Sequence, residues 1–314
     1  MMDVRDKIMD REGTISGPRG VLAAVLTPMD GDLAPNHAAF SAHCHRLLEA
    51  GCHGLSVFGT TGEANSLSVS ERLAALEALL ENGVPARTLL PGTGSCALTD
   101  TVRLSRAALE AGTAGVLVLP PFYYKGVGDD GLFRFFAEVV ERIGDDRLRL
   151  YLYHIPHMTG VELGLPLISR LIDAYPGAIA GTKDSSGDRE RIKTLCREFP
   201  HFSVLAGTET LLLETLRSGG EGCISATVNV TSRHARQVYD AHASGRDDEA
   251  QALQEHLSAL RASIEAYPVI PALKALMTDL TGENTWRNLR PPLSELDEEQ
   301  AQHLLADVPL AELL

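Results

Sequence analysis

Eight times along the chain a short apolar run gives way to a loop and then to a helical pattern, and this alternation leaves few folds open. The runs lie at 20–27, 54–58, 88–90, 115–119, 148–153, 178–182, 203–206 and 222–226. They are apolar almost throughout rather than at every second residue, as strands are when helices cover both faces of a parallel sheet. Helical patterns follow from about 36, with Asn36 as N-cap, and then over about 70 onward, 99–111, 130–143, 165–174, 188 onward, 209–217 and 232–243. Units of roughly 25 to 30 residues, repeated eight times, predict a (β/α)8 TIM barrel rather than an open doubly wound sheet. The expected organisation is an irregular leader over 1–18, the barrel over 19–244, and an appended C-terminal helical segment over 245–314.

The rest of the composition narrows the function classes. A net charge of −14 with no basic stripe to offset it argues against a nucleic-acid surface. The five cysteines, Cys44, Cys52, Cys96, Cys196 and Cys223, are scattered without Cys-x-x-Cys spacing, so neither a disulfide framework nor a zinc site is indicated. No apolar run nears the ~20 residues of a membrane span, and the N-terminus has no apolar signal core. A soluble, cytoplasmic protein with no nucleic-acid or membrane partner is expected.

The mouth of such a barrel is built by the C-terminal ends of its strands. The sixth run ends in Gly181-Thr182-Lys183-Asp184, and Lys183 is the only one of five lysines placed at a strand end. An ammonium loses solvation there, which favours the neutral amine, a nucleophile towards ketones. The fifth run ends at Tyr153, a phenol able to move protons, and Tyr123 and Tyr124 follow the fourth. The second run leads into Gly59-Thr60-Thr61-Gly62, where backbone N–H groups and hydroxyls can approach an anion closely. Each piece alone has a plainer reading: a surface lysine, a tight turn, a barrel-wall tyrosine, packing tyrosines. Their joint placement at strand ends points to imine chemistry on a small 2-oxo acid. His154 and His157 are spaced like a metal pair but flank Pro156 with no further ligand cluster, so no metal is expected.

With these pieces in view, the chain resembles the dihydrodipicolinate synthase / N-acetylneuraminate lyase family of lysine-dependent aldolases. The resemblance rests on Gly59-Thr60-Thr61-Gly62-Glu63, Pro121-Phe122-Tyr123-Tyr124, Tyr153-His154-Ile155-Pro156 with Thr159-Gly160, Gly181-Thr182-Lys183-Asp184 and Gly222-Cys223-Ile224-Ser225-Ala226-Thr227. It implies that Lys183 forms the Schiff base with pyruvate and that Tyr153 relays protons beside it. It further implies that Thr60 links Tyr153 to Tyr123, which in this family can come from a neighbouring subunit. Thr61, with the Thr60 and Thr61 amides, matches the carboxylate site, and Ile224 a position whose main-chain carbonyl lies near the lysine. By the same resemblance the protein is a homotetramer, a dimer of dimers, acting on pyruvate and an aldehyde without metal or organic cofactor.

One branch is matched less well than another. Dihydrodipicolinate synthases typically carry an arginine two residues past the proline, where this chain has Met158, which cannot bind a carboxylate through two hydrogen bonds. Neuraminate lyases usually have an acidic pair after the seventh strand, where Gly207-Thr208-Glu209 keeps one carboxylate. The run Asp184-Ser185-Ser186-Gly187-Asp188 is similar to aldolases for hydroxylated 2-oxo acids, such as 2-keto-3-deoxy sugar acids or 4-hydroxy-2-oxoglutarate. Such an aldolase is the expected function. A synthase, a neuraminate lyase or a dehydratase sharing the imine, and a silent binding relative, are the rivals.

Overall fold

The computed structural model describes residues 17–308 and 310–313, so all but the last two residues of the expected leader lie outside it. Seven parallel strands are formed: β1 (Gly20–Ala24), β2 (Gly54–Ser56), β3 (Val116–Val118), β4 (Leu150–His154), β5 (Ile179–Asp184), β6 (Ser203–Ala206) and β7 (Gly222–Ser225). Their order is β2-β1-β7-β6-β5-β4-β3. The gap between β2 and β3 is filled by the segment expected to be the third strand.

That segment is real but weakly paired. A 3-10 turn takes Ala86–Thr88, and the extended residues after it bond to both neighbours. Leu90 N–H donates to Leu55 O at 2.9 Å and Gly92 N–H to Val57 O at 2.8 Å, while Leu117 N–H donates to Pro91 O at 2.9 Å. Pro91 has no N–H to return to β3, which reduces the ladder there to isolated bridges. The barrel therefore closes, with one of its eight staves held by fewer bonds than the rest.

The helices lie where the alternation puts them: α1 (His37–Glu49), α2 (Val69–Glu81), α3 (Leu98–Glu110), α4 (Asp129–Ile143), a single turn α5 (Pro156–Thr159), α6 (Leu165–Ala174), α7 (Arg189–Glu198), α8 (Leu212–Arg217) and α9 (Val228–Ala243). Asn36 caps α1 as expected, its side chain accepting from Ala39 N–H at 2.8 Å. The start of α2 is set by a Ser68/Glu71 capping box, two residues before the expected Ser70. Helix α9 begins at Val228 rather than Ser232, because a break at Thr231 joins a short first turn to the main helix.

Strand register sorts the side chains into two layers. Tyr153 pairs with Lys183 and Lys183 with Leu205, while Leu22 pairs with Ile224. Leu22, Leu117, Tyr151, Tyr153, Leu205 and Ile224 form one cluster inside the barrel. The neighbouring strand positions pack outward on the helices in a much larger cluster. Gly181 makes room for this arrangement, since a Cβ there would lie 2.6 Å from the Tyr151 ring and 2.4 Å from Ser203 O.

Beyond the barrel come α10 (Asp247–Glu265), α11 (Val269–Thr281) and α12 (Glu298–Asp307). Periodicity alone did not say what they pack on. Ile264, Leu273, Leu276, Met277, Trp286 and Leu304 form a third cluster with Leu26, just past β1, and Val230 in α9. The C-terminal segment thus buries its apolar face against the barrel's own β1–β7 sector. Among the described residues no helix is long and apolar enough to cross a membrane.

Candidate active site

Adjacent strands place the two central groups. Tyr153 on β4 and Lys183 on β5 are register partners, so both side chains turn into the barrel at the same height. Both are buried, at 3% and 4% exposure. Lys183 Nζ donates to Tyr153 Oη at 3.2 Å and lies 4.4 Å from the centroid of the Tyr153 ring. On the far side, Thr60 Oγ1 and Tyr153 Oη are 3.4 Å apart. Ser185 also lies beside the Tyr153 hydroxyl. A small cavity bounded by Phe58, Thr60, Gly92, Leu117, Leu119 and Tyr153 adjoins this trio.

The electrostatics of Tyr153 follow from that company. Burial by itself would raise the phenol's pKa, because the phenolate loses water. The nearby Lys183 charge, with hydrogen bonding from Thr60, Lys183 and Ser185, outweighs burial and leaves it below the ordinary tyrosine value. The arrangement favours a phenol that can give up its proton inside an otherwise apolar barrel.

The Gly59-Thr60-Thr61-Gly62 loop is bent by unusual backbone. Phe58 enters it at φ 57° and Glu63 leaves it at φ 55°, both left-handed. Gly62 lies so close to β1 that a Cβ would meet Val25 O at 2.7 Å. Within the turn, Glu63 N–H donates to Thr60 O at 3.1 Å and Ala64 N–H to Gly59 O at 3.2 Å. No acceptor among the described residues takes the N–H of Thr60 or Thr61. Two unpaired N–H donors near Lys183 are suited to a carboxylate.

Other residues singled out from the sequence fall elsewhere. Tyr123 and Tyr124 are 74% and 73% exposed, stack edge-on at 5.4 Å, and make no hydrogen bond to Thr60 within the chain. Ile224 is buried in the barrel interior with Tyr153. Asp184 faces outward and is held by Arg191 Nε at 2.6 Å and Ser186 Oγ at 2.5 Å, so of the Asp184–Asp188 run it is Ser185 that meets the site. Asp188 caps α7. His154 is buried, and its Nδ1 accepts from Leu163 N–H at 3.3 Å. His157 sits on the exposed turn α5, which begins at Pro156. Proline at the first position of a helix costs nothing, and that is how α5 forms.

Glu209, the single carboxylate after the seventh predicted strand, has no surface in contact with solvent. It accepts from Arg261 Nη1 at 2.5 Å and from the hydroxyls of Ser225 and Thr227. It is committed to α10 and is not free for substrate hydroxyls. Arg261→Met should destabilise the fold by about 3–5 kcal/mol, because a buried carboxylate then loses its guanidinium. Urea denaturation of the two proteins checks this; unchanged stability would mean that the Arg261–Glu209 pair does not hold the fold.

Sequence reasoning missed a second buried lysine. Lys274 on α11 is 1% exposed and donates to Glu63 Oε1 at 2.5 Å and to Asn288 O at 2.7 Å. The signal was present in the pattern, for Lys274 falls four residues after Ile270 and three before Met277, on the apolar face of its helix. Among the described residues no group of three His, Cys, Asp or Glu side chains is placed to hold a metal ion.

A closed parallel barrel with a buried lysine, a phenol at its side and a turn with two unpaired N–H groups at its mouth points to a class of lyase. The profile of the Dihydrodipicolinate synthetase family matches residues 17–310, and the chain belongs to that family. Its members are pyruvate-dependent carbon–carbon lyases, and this protein is an enzyme of that kind. An "Uncharacterized DapA-like lyase" of Chloroflexus aurantiacus is 37% identical over 92% of this chain and 95% of its own length. The crystal structure of dihydrodipicolinate synthase from Agrobacterium tumefaciens superposes with a TM-score of 0.84 at 34% identity, covering 92% of this chain and 97% of that one. YagE, a prophage protein of the dihydrodipicolinic acid synthase family from E. coli K12 solved in complex with pyruvate, gives a TM-score of 0.83 at 28% identity over 92% and 96%.

Proposed function

We propose that the protein is a Schiff-base aldolase that joins pyruvate to an aldehyde, or cleaves a hydroxylated 2-oxo acid, through Lys183. The observation that carries this reading is the buried Lys183 Nζ, 3.2 Å from the Tyr153 hydroxyl and backed by Thr60. A neutral amine at that point attacks the ketone carbon. Two protons, one from the amine and one relayed by Tyr153, leave with the carbonyl oxygen as water, and a cationic imine remains. The imine draws electrons from a C3–H bond, releasing a proton, or from the C3–C4 bond, with the C4 hydroxyl giving its proton to Tyr153 as the aldehyde leaves; either way the enamine forms. In the synthetic direction the enamine attacks the aldehyde carbon, whose oxygen takes a proton, and water then returns the 2-oxo acid and free Lys183.

The remaining residues are assigned around this step. The free N–H groups of Thr60 and Thr61 hold the carboxylate, the Ile224 carbonyl lies toward the amine, and no cofactor or metal takes part. The pyruvate bound to YagE supports the same first substrate here. A hydroxylated partner is favoured over the synthase reaction by Met158, which is 61% exposed and offers no charge to a second carboxylate. Ser185 beside Tyr153 supplies a hydroxyl to a hydroxylated substrate instead.

The test is peptide mass spectrometry after treatment with pyruvate and borohydride. One pyruvyl adduct on Lys183 is expected; a well-folded sample with no adduct overturns the reading. Products from a panel of 2-oxo acids separate retro-aldol cleavage from loss of water.

Tyr123 is assigned to a neighbouring subunit's site in a homotetramer, because its own ring stands free at the surface. Mixing the inactive variants Lys183→Ala and Tyr123→Phe after gentle dissociation should then restore turnover, as some sites regain both groups. No recovery in verified mixed oligomers would place Tyr123 outside the chemistry.

A further inference from the structure

The turn that offers its N–H groups to a carboxylate is not held by the strand that precedes it. Left-handed backbone at Phe58 and Glu63 is unfavourable for residues with side chains, and such a turn persists only where its surroundings enforce it. Thr27 Oγ1, just past β1, donates to Gly62 O at 2.9 Å, and the Glu63 side chain is held from the far end of the chain. Glu63 Oε1 accepts from Lys274 Nζ at 2.5 Å, and Oε2 accepts from the backbone N–H of Arg290 at 2.9 Å. Lys274 is fixed in turn by Asn288 O, and the Arg290 guanidinium donates to Ser66 O at 2.6 Å and Leu33 O at 2.9 Å while pairing with Glu71. The Lys274 and Glu63 side chains are almost wholly enclosed, with 1% and 0% exposure. A buried ion pair is rarely a net gain in stability over an apolar pair of the same volume. What this pair does supply is a fixed position for the last residue of the turn.

We propose that Glu63 and Lys274 are positioning residues for the carboxylate subsite, setting the Gly59–Glu63 turn so that its two free N–H groups recognise an anionic 2-oxo acid. The inference rests on the Schiff-base reading above, and goes beyond it by placing the selectivity for an anionic substrate in an ion pair that touches no substrate. The pair acts only through the turn. Its loss therefore leaves Lys183 and Tyr153 in register on β5 and β4, where strand pairing and not the turn fixes them. Imine formation should survive; preference for the carboxylate should not.

The measurement is the concentration giving half-maximal borohydride trapping on Lys183, for pyruvate and for pyruvamide, whose neutral amide replaces the carboxylate. In Lys274→Met and Glu63→Gln the pyruvate value should rise about tenfold or more, as when hydrogen bonds to a charged group are lost, with pyruvamide changed less than about twofold. The limiting trapping rate should stay near that of the parent. Equal weakening of both ligands would reveal a general structural role, and unchanged pyruvate selectivity in a folded variant would remove the pair from recognition; either overturns the proposal. If Lys274→Met lacks a cooperative thermal transition, Lys274→Gln keeps a donor of similar reach without the charge and carries the same comparison. A parent enzyme trapped by neither ligand would instead refute the Schiff-base reading itself.

Discussion

Lys183→Ala is expected to abolish trapping of pyruvate by borohydride and to lower turnover by about 10⁴- to 10⁶-fold, the scale on which covalent catalysts fail when the nucleophile is removed. The fold should survive. Lys183 donates one side-chain hydrogen bond, to Tyr153, and lies in a barrel interior otherwise closed by apolar side chains. Replacing it with alanine leaves a cavity but also removes a buried amine, and these effects oppose each other. Circular dichroism and a thermal scan would show the retained fold, and mass spectrometry the lost adduct. Normal turnover in a folded Lys183→Ala protein would rule out the imine.

Tyr153→Phe separates proton movement from bond formation. Its ring would still fill the space beside Lys183, so the amine should still trap pyruvate, while turnover falls by roughly 10² to 10⁴. The pH profile carries a second signature. The Lys183 charge and the hydrogen bonds at the phenol outweigh burial and lower its pKa, so its deprotonated form becomes available below the ordinary tyrosine value of 10.0. A rise in rate with pH through that lowered value should appear in the parent and be missing in Tyr153→Phe. Parallel profiles, or equal rates, would assign the proton transfer to another group.

What the sequence made legible follows from what is local. Apolar runs and loop residues placed every strand, including the stave near Pro91, because strand position depends on burial pattern over a few residues. Lys183, Tyr153, Thr60 and Thr61 could be grouped because a parallel barrel brings all strand C-termini to one mouth, whatever their spacing in the chain. The contacts that span the whole chain were not legible. Nothing near Lys274 in the sequence points to its partner, Glu63, 211 positions earlier. Glu209 looked like a spare carboxylate until Arg261 of α10 was seen against it. Asp184 and Ser185 are neighbours in sequence but face opposite ways, and a motif read as a string cannot say which of them meets the substrate.

The union of Glu63 with Lys274 and Arg290 also has a consequence for how the enzyme comes into being. Strands β1 to β7 are complete once residue 225 has been made, and a growing polypeptide could by then have a barrel with its lysine and tyrosine in place. The groups that hold Glu63 at the end of the Gly59–Glu63 turn are still unmade, since Arg290 follows Glu63 by 227 residues. Closing so long a loop adds little entropic cost over a shorter one, as the penalty grows only with the logarithm of length, but it cannot begin before the tail exists. On the function proposed above, competence to hold a 2-oxo acid would then be completed last, after Lys183 has been enclosed in the barrel.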